Sequence, residues 1–369
     1  MRAALLLAAL ATVPVFAQQP HHHHAAPAGV ISLDVYADGG AVHVLTGEAR
    51  DGRVALHYLR TADGVAWTGP VEVRAGPAPR HLRRGDDAQL AARGDRLYAL
   101  WGIEGTGYMG SGPFAAAASD DGGQTWAPAG SPSDSRLTTG HGFADLLFDG
   151  EDLHAVWLDS RDRAQGLRHA RSRDGGASWL ANATVARGTC ECCWNALYRD
   201  NDGVHALFRG KGPRDMEFAT FAGDAWRRRG RVGAFGWEFK GCPEAGGRLA
   251  GSGGAKHALV WTGAPERIGL YRLSARGGKW SEPQRLGEED AQHADLAASA
   301  RALLAVWDSA GEIQYAQSRD DGESWSRPRR LAARSATHPR VAALPAGFLV
   351  LWTERAAAGW AMRHLVIAP

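Results

Sequence analysis

The sequence predicts an all-β protein built from repeated units of short strands. The pattern Ser-x-Asp-x-Gly-x-x-Trp occurs three times, beginning at Ser119, Ser172 and Ser318. Glycine and proline recur at strand spacing through residues 30–369, and no capped amphipathic helix pattern interrupts them. A pattern with four fixed identities does not recur three times by chance, so the chain is a repeat protein.

The length of the repeat predicts the architecture. In each unit the second strand ends in an apolar pair, and successive pairs begin 45 to 56 residues apart. That period is typical of propeller blades and unlike helical repeats. We therefore predict one β-propeller of four-stranded blades over residues 30–369, with seven blades by this count and six as the alternative. The last unit lacks an outer strand, which the segment before Val30 is expected to supply. The pairs are Val44-Leu45, Leu100-Trp101, Val156-Trp157, Leu207-Phe208, Val260-Trp261, Val306-Trp307 and Leu351-Trp352.

The repeated pattern itself predicts a turn. Its glycine supplies the positive φ of a tight turn, and its serine and aspartate can bond the backbone of that turn. The tryptophan can then pack the turn onto the sheet below. We interpret the pattern as a structural fastener between strands.

This pattern is the Asp box, and the chain resembles the sialidase-like superfamily of β-propellers over nearly all of residues 30–369. The resemblance implies the architecture more than a chemistry, because enzymes and non-catalytic propellers share the motif. The enzymes of that superfamily usually have six blades, so the count of seven departs from them.

The N-terminus predicts export. Residues 1–17 read as a signal peptide, with Arg2 before an apolar stretch from Leu5 to Phe16 and a small residue, Ala17, at the cleavage site. The stretch is too short to span a membrane comfortably. A segment over residues 18–29 follows and contains four consecutive histidines, His21 to His24. We expect a monomer in a periplasm or outside the cell. A net charge of only +2 argues against a nucleic-acid partner.

The resemblance also implies a test for sialidase activity, namely three carboxylate-binding arginines, a Tyr/Glu nucleophile pair and an acid/base Asp. The arginine-bearing stretch expected at the start of the first blade is absent from Gly29 to Leu33, and no tyrosine has neighbours that identify a nucleophile. Two arginines and three aspartates do fall on or near inner strands, where a glycosidase would hold its paired carboxyls. We expect these aspartates to make turn and strand-end hydrogen bonds, and we leave catalysis open. The residues are Arg248, Arg340, Asp87, Asp145 and Asp295.

Cysteine and histidine side chains are expected to converge at one mouth of the propeller. Cys193, His293 and His338 each lie two residues before the residue that sets the register of their inner strand. Because inner strands all start on the same face of a propeller, these side chains should share one rim. The full candidate set is Cys190, Cys192, Cys193, Cys242, His141, His293 and His338.

Thiolates and imidazoles together are ligands for a soft or borderline metal ion. The cysteine cluster favours copper, since thiolates prefer the monovalent ion, and zinc is the second choice. The histidines of residues 21–24 add a metal-catching segment.

Structural disulfides are the alternative, because an exported chain with four cysteines pairs them readily. Bridges between adjacent cysteines, or cysteines one residue apart, are strained, so one bridge from Cys242 to the cluster is easier. A non-catalytic propeller would then bind glycan or protein on this face. Trp194, Trp237 and Phe239 are available to stack on a sugar or shield a metal, with core packing as the default for all three.

Overall fold

The computed structural model describes residues 28–80, 82–107, 110–136, 138, 140–161, 165–332 and 335–369. The predicted signal peptide and His21 to His24 lie outside the described residues. The described chain consists of β-strands joined by turns and loops, with no α-helix in those ranges, as the sequence predicted. Accordingly, none of the described ranges contains a helix long and apolar enough to cross a membrane.

Twenty-eight strands follow one another within the described residues. In order they are β1 (Gly29–Ala37), β2 (Val42–Arg50), β3 (Arg53–Thr61), β4 (Trp67–Glu72), β5 (Gln89–Arg93), β6 (Arg96–Glu104), β7 (Ser111–Ser119), β8 (Ala127–Pro128), β9 (His141–Asp149), β10 (Asp152–Asp159), β11 (Gly166–Ser172), β12 (Ala183–Arg187), β13 (Ala196–Asp200), β14 (Gly203–Arg209), β15 (Met216–Ala222), β16 (Ala225–Val232), β17 (Gly247–Ser252), β18 (Ala255–Thr262), β19 (Gly269–Arg276), β20 (Lys279–Trp280), β21 (Gln284–Gly287), β22 (Gln292–Ser299), β23 (Ala302–Ser309), β24 (Glu312–Ser318), β25 (Arg329–Ala332), β26 (Ala336–Leu344), β27 (Gly347–Ala356) and β28 (Gly359–Ile367).

The strands form antiparallel meanders whose order in each sheet follows the chain. Strands β5–β8, β9–β12, β13–β16 and β22–β25 make four-stranded sheets, and β17–β21 make a five-stranded one. The remaining sheet joins both ends of the chain, in the order β26-β27-β28-β1-β2-β3-β4. Its two halves meet where Gly29 pairs with Trp360 in parallel, with the Trp360 N–H donating to Ala28 O at 2.9 Å. Ala28 and Gly29 therefore lie beside the last strand, and the rest of the segment expected to supply an outer strand lies outside the described residues.

The first strand of each meander contacts the first strand of the next. These contacts run β1, β5, β9, β13, β17, β22, β26 and back to β1. The hydrophobic core lies between neighbouring sheets, since each buried cluster combines residues from successive meanders. Trp101, Trp157 and Trp307 from the predicted apolar pairs are almost fully buried there.

The Ser172 turn shows how the repeated pattern is built. Ser172 Oγ donates to Asp174 Oδ1 at 2.7 Å and accepts the Gly176 N–H at 2.7 Å. Gly176 has a φ of +96° and lies against the ring of Tyr98 from the preceding sheet. Trp179 packs edge-on against the same tyrosine, with ring centroids 5.5 Å apart. The turn thus attaches one sheet to the previous one. The same two serine hydrogen bonds recur in the copies beginning at Ser119 and Ser318.

Buried aspartates connect neighbouring inner strands through main-chain hydrogen bonds. This agrees with the strand-end role expected for Asp87, Asp145 and Asp295. Arg340 Nη2 lies 2.7 Å from Asp87 Oδ2, and Arg248 Nε lies 3.0 Å from Asp295 Oδ1, so both arginines pair with these carboxylates. In each main-chain hydrogen bond an N–H group donates to an aspartate carboxylate. The pairs are the Leu33 N–H and Asp87 (2.9 Å), the Leu90 N–H and Asp34 (2.8 Å), the Leu197 N–H and Asp145 (2.5 Å), and the Val341 N–H and Asp295 (2.9 Å).

Asp34 gives the fold a measurable pH dependence. Burial raises the pKa of Asp34 from 3.8 to about 7, although the nearby Arg340 opposes the shift. Folding therefore favours the protonated carboxyl, whose stabilising contribution is complete below pH 3.8 and is lost as the pH rises through about 7. A carboxamide at this position cannot titrate, so Asp34→Asn should gain stability relative to wild type between pH 5 and pH 8, by more than about 1 kcal/mol.

Urea unfolding at both pH values measures this difference. Asp51→Asn, at an exposed turn, is the matched control and should keep the pH profile of wild type. Identical pH profiles for Asp34→Asn and wild type would show that the Asp34 carboxyl titrates alike in the folded and unfolded chains.

Candidate metal centre

Three inner strands have a β-bulge at the same position relative to the residue that sets their register. Phe143, His293 and His338 each have a positive φ, of 53°, 49° and 50°. Each lies at a register shift in its strand pair, two residues before Asp145, Asp295 or Arg340. A bulge of this kind re-aims a side chain at the end of a strand. Cys193 occupies the same offset before Asn195 in the loop that leads into β13.

Three cysteine sulfurs converge in this loop. Cys190, Cys192 and Cys193 are buried, and their Sγ atoms all lie within 4.8 Å of one another. Cys190 Sγ is 3.8 Å from Cys192 Sγ and 2.7 Å from Cys193 Sγ, and all four cysteines are free. We call these three residues the thiol cluster. Cys242 is exposed at its edge, where a hydrogen bond from Cys192 lowers the pKa of Cys242.

The Cys190–Cys193 distance corrects one expectation. A bridge within the cluster was expected to be strained, which holds for adjacent cysteines and for cysteines one residue apart. Cys190 and Cys193 are separated by two residues, and their sulfurs are the closest pair. The separation of 2.7 Å exceeds the bond length of a disulfide, about 2.05 Å. This pair is therefore the one that would close if the site were oxidised.

Two buried arginines hold both cysteine-bearing segments. The Cys190 N–H donates to Arg209 O at 2.9 Å, which fixes the start of the thiol cluster to the end of β14. Arg214 Nη2 donates to Gly241 O at 2.8 Å, and its Nε donates to Phe239 O at 3.2 Å. Arg214 thus secures the loop that carries Cys242.

The same arginines make the cluster electropositive. Hydrogen bonds from Cys192 and Cys193 lower the pKa of Cys190, and the charge of Arg214 acts in the same direction. Burial raises the pKa of Cys193, while the hydrogen bonds among the sulfurs raise the pKa of Cys192. The hydrogen bonds among the sulfurs thus favour the thiolate form at Cys190 over Cys192 and Cys193. Buried positive charge beside thiolates also favours a complex in which several thiolates bind one cation.

A second group lies on two adjacent meanders, with His293 on β22, Asp308 on β23 and His338 on β26. His293, Asp308 and His338 each place a possible ligand atom within 4.8 Å of the other two. The imidazole rings of His293 and His338 are stacked, with centroids 3.5 Å apart and 19° between their planes. His293 Nδ1 lies 2.9 Å from Asp308 Oδ2. We call these three residues the histidine group.

Trp194 lies between the thiol cluster and the histidine group. It follows Cys193 in the chain, and its ring centroid is 5.7 Å from that of His293. Two glycines make room for the indole, since a Cβ at Gly246 would lie 2.1 Å from the ring and one at Gly85 would lie 3.4 Å from it. Two groups of candidate ligands, rather than one, therefore flank a buried tryptophan.

His141 does not join either group. Its ring packs edge-on against Phe114, and its Nε2 lies 2.9 Å from Ser133 Oγ and 3.8 Å from Asp159 Oδ2. His141 lies four residues before Asp145, not two, and therefore precedes the bulge. Phe143 takes the position that His293 and His338 hold in their strands. The structure thus separates His141 from the other six candidates.

Asp308 is a residue that the sequence reasoning missed. It follows the apolar pair Val306-Trp307, at the position that Leu158 and Thr353 occupy in two other units. An acidic residue directly after a buried pair was the signal available, because five of the other six units carry an uncharged residue there and the sixth carries Arg209. Only the cross-strand register places it beside the two histidines.

The other aromatic candidates divide between core and surface. Trp237 is buried against Arg209, whose guanidinium carbon lies 5.1 Å from the Trp237 ring centroid. Phe239 stacks on Trp237 with centroids 5.7 Å apart and is 40% exposed. Trp237 therefore packs as core, and Phe239 remains available at the surface near Cys242.

Comparison with known proteins identifies the fold. No protein-family model and no curated protein sequence matches the chain. Among solved structures, the polysaccharide lyase Uly1 superposes with a TM-score of 0.53 at 12% identity, over 96% of this chain and 94% of the lyase. A Dyadobacter fermentans protein of unknown function gives 0.51 at 11% identity, over 92% of this chain and 95% of that protein. Trypanosoma rangeli sialidase gives 0.53 at 11% identity, over 82% of this chain and 54% of the sialidase.

Identities this low carry information about the fold alone. The structural similarity extends over most of the chain for all three proteins, and it agrees with the meanders arranged around a set of inner strands. The chain therefore has a β-propeller fold of the kind found in sialidase and polysaccharide lyase structures.

Proposed function

We propose that this protein is an exported β-propeller that binds a soft metal ion, copper(I) by preference and zinc second, through Cys190, Cys192 and Cys193. Cys242, which is hydrogen-bonded to Cys192, is the candidate for a fourth sulfur ligand. The observation that carries the proposal is the convergence of three buried sulfurs within 4.8 Å at one loop.

The ligand chemistry supports copper(I). Thiolates are soft ligands that select copper(I), zinc and iron–sulfur clusters over hard cations. Several thiolates around a monovalent ion leave a net negative charge, and the buried side chains of Arg209 and Arg214 lie beside the thiol cluster to offset it. A divalent zinc ion bound by the same thiolates would leave less negative charge for the arginines to offset. Arginine on both sides therefore favours the monovalent ion.

The proposed architecture has seven blades and Asp-box turns. Seven inner strands contact one another in a closed order, and the sheet that joins the chain ends divides into four strands and three. The serine–aspartate–glycine hydrogen bonds of three turns support their assignment as Asp boxes. Export rests on the predicted signal peptide of residues 1–17.

Glycosidase activity has weaker support. Asp87, Asp145 and Asp295 each accept a main-chain N–H from an adjacent inner strand. Asp87 and Asp295 are also paired with arginines. Carboxylates that already accept these hydrogen bonds hold the ring of strands together. They have few lone pairs left to interact with a substrate.

Copper(I) titration under anaerobic conditions tests the proposal. Protein lacking His21 to His24 should bind one copper(I) per chain in competition with a chromogenic chelator. Cys190→Ser and Cys193→Ser should each weaken binding at least about tenfold, because each removes a sulfur ligand. Cys242→Ser should cause a smaller loss, since Cys242 is exposed at the edge of the cluster.

A free-thiol count on the same preparations identifies the alternative. Two free thiols in the native chain, four after reduction, and no copper(I) binding would show that two of the four cysteines are joined in a disulfide, either Cys190 to Cys193 or Cys242 to the cluster. The cysteines would then be structural or redox-active, and a non-catalytic glycan- or protein-binding propeller would replace the metal proposal.

A further inference from the structure

We propose that His293 and His338 form a second metal site, separate from the thiol cluster, which takes a borderline divalent cation such as copper(II) or zinc through imidazole nitrogen. This site does not depend on the thiol cluster, so it stands or falls independently of copper(I) binding there. It rests on the hydrogen bonds that fix both rings, on their proximity, and on an open cleft beside His293.

The hydrogen bonds set the tautomer of His338. Thr337 Oγ1 donates its only proton to Asp308 Oδ2, because an ionised carboxylate can only accept. Thr337 Oγ1 must then accept the bond that joins it to His338 Nδ1 at 2.8 Å. His338 therefore carries its proton on Nδ1 and its lone pair on Nε2.

The same carboxylate sets the tautomer of His293. His293 Nδ1 lies 2.9 Å and 3.0 Å from the two Asp308 oxygens, so Nδ1 donates and Nε2 carries the lone pair. A carboxylate that orients a histidine through its other nitrogen is the usual support of a metal-binding imidazole. Asp308 Oδ2 also accepts the His338 N–H at 2.8 Å. Asp308 thus serves both rings as a positioning residue.

A cleft gives an ion and water access to the group from the side of His293 and Asp308. It is open to solvent, and Thr337 and Trp360 also line it, whereas His338 lies behind His293 and is not among its lining residues. Asp290 and Gln292 contribute further oxygens to its wall. Two neutral imidazoles with room for water ligands suit copper(II) or zinc, whereas monovalent copper prefers the sulfurs on the other side of Trp194.

Binding should be visible through Trp194. The two rings are stacked with only 19° between their planes, so a single ion shared by both Nε2 atoms requires a ring to tilt. His293 is the ring that contacts Trp194, at a centroid distance of 5.7 Å. Copper(II) bound here is expected to quench the emission of Trp194.

The experiment uses the full-length mature chain without His21 to His24. Its thiols are capped with N-ethylmaleimide during mild denaturation, and the protein is then refolded. If capping prevents refolding, the thiols are left free. Copper sulfate and zinc sulfate are the probes, followed by tryptophan emission, calorimetry and, for copper(II), electron paramagnetic resonance. We expect one site per chain with nitrogen hyperfine structure. His293→Ala and His338→Ala should each weaken binding more than tenfold, and Asp308→Asn about tenfold.

His364→Ala is the matched control, because His364 is an exposed histidine on β28 that contacts Trp67 rather than the cleft. It should bind divalent ions as wild type does. Wild-type affinity in folded His293→Ala, or a copper(II) spectrum with sulfur ligands and no nitrogen, would overturn the second site. Neither result bears on the copper(I) titration of the thiol cluster, so the two failures are distinguishable.

Discussion

Gly176→Ala is expected to destabilise the protein by about 3 kcal/mol or more, because two costs coincide at this turn. Gly176 has a φ of +96°, which an alanine adopts only with strain. A Cβ there would also lie 2.2 Å from Cδ2 of Tyr98. Tyr98 cannot move away easily, since it is fully buried and its hydroxyl donates to Gly130 O at 2.6 Å.

Gly254→Ala separates the two costs. Gly254 has a φ of +72°, and a Cβ there would meet no atom within 4 Å. This control should lose only the conformational part, about 1–2 kcal/mol. Urea unfolding of both variants measures the difference. Equal losses would mean that the Ser172 turn does not pack tightly on the preceding sheet.

Arg209→Met is expected to cost about 3 kcal/mol or more, because it leaves three main-chain carbonyls without their donor, at about 1–3 kcal/mol for each buried group. Arg209 is 1% exposed, and it donates to Ala245 O at 2.7 Å and to Trp261 O at 2.9 Å. Methionine fills similar volume but leaves these carbonyls without their donor. The change also removes a positive charge close to Cys193, so copper(I) affinity should fall with stability.

Arg228→Met provides the comparison for a surface cation. Arg228 pairs with Glu217 on an exposed strand, where an ion pair contributes at most about 1 kcal/mol. Unfolding free energies and copper(I) affinities of both variants should therefore diverge. If Arg209→Met binds copper(I) as wild type does while being less stable, the arginine is structural and charge compensation at the thiols is not its role.

Much of the fold was accessible from the sequence because it depends on local periodicity. The spacing of the apolar pairs reflects one strand position repeated in every meander. The Ser172 turn requires a serine, an aspartate and a glycine at fixed positions. Its hydrogen bonds could therefore be predicted from the identities of these three residues.

The site was only partly accessible, because it depends on which strands lie side by side. His293 and His338 lie at the same position relative to their register residues, so the sequence predicted that they lie close together. That position does not predict that Trp194 separates the histidines from the thiols. Asp308 comes from a second strand, so a register based on inner strands could not find it. His141 precedes its bulge by two residues, and that small shift sends its ring to a different cavity.

X-ray absorption at the metal edge, on copper(I)-loaded protein without His21 to His24, tests the central claim most directly. Ligation by Cys190, Cys192 and Cys193 predicts a shell of two or three sulfur atoms at about 2.3 Å. That shell should shrink in Cys193→Ser and persist in His293→Ala. A shell of nitrogen or oxygen alone at about 2.0 Å would contradict thiolate binding and leave the cysteines as structural residues.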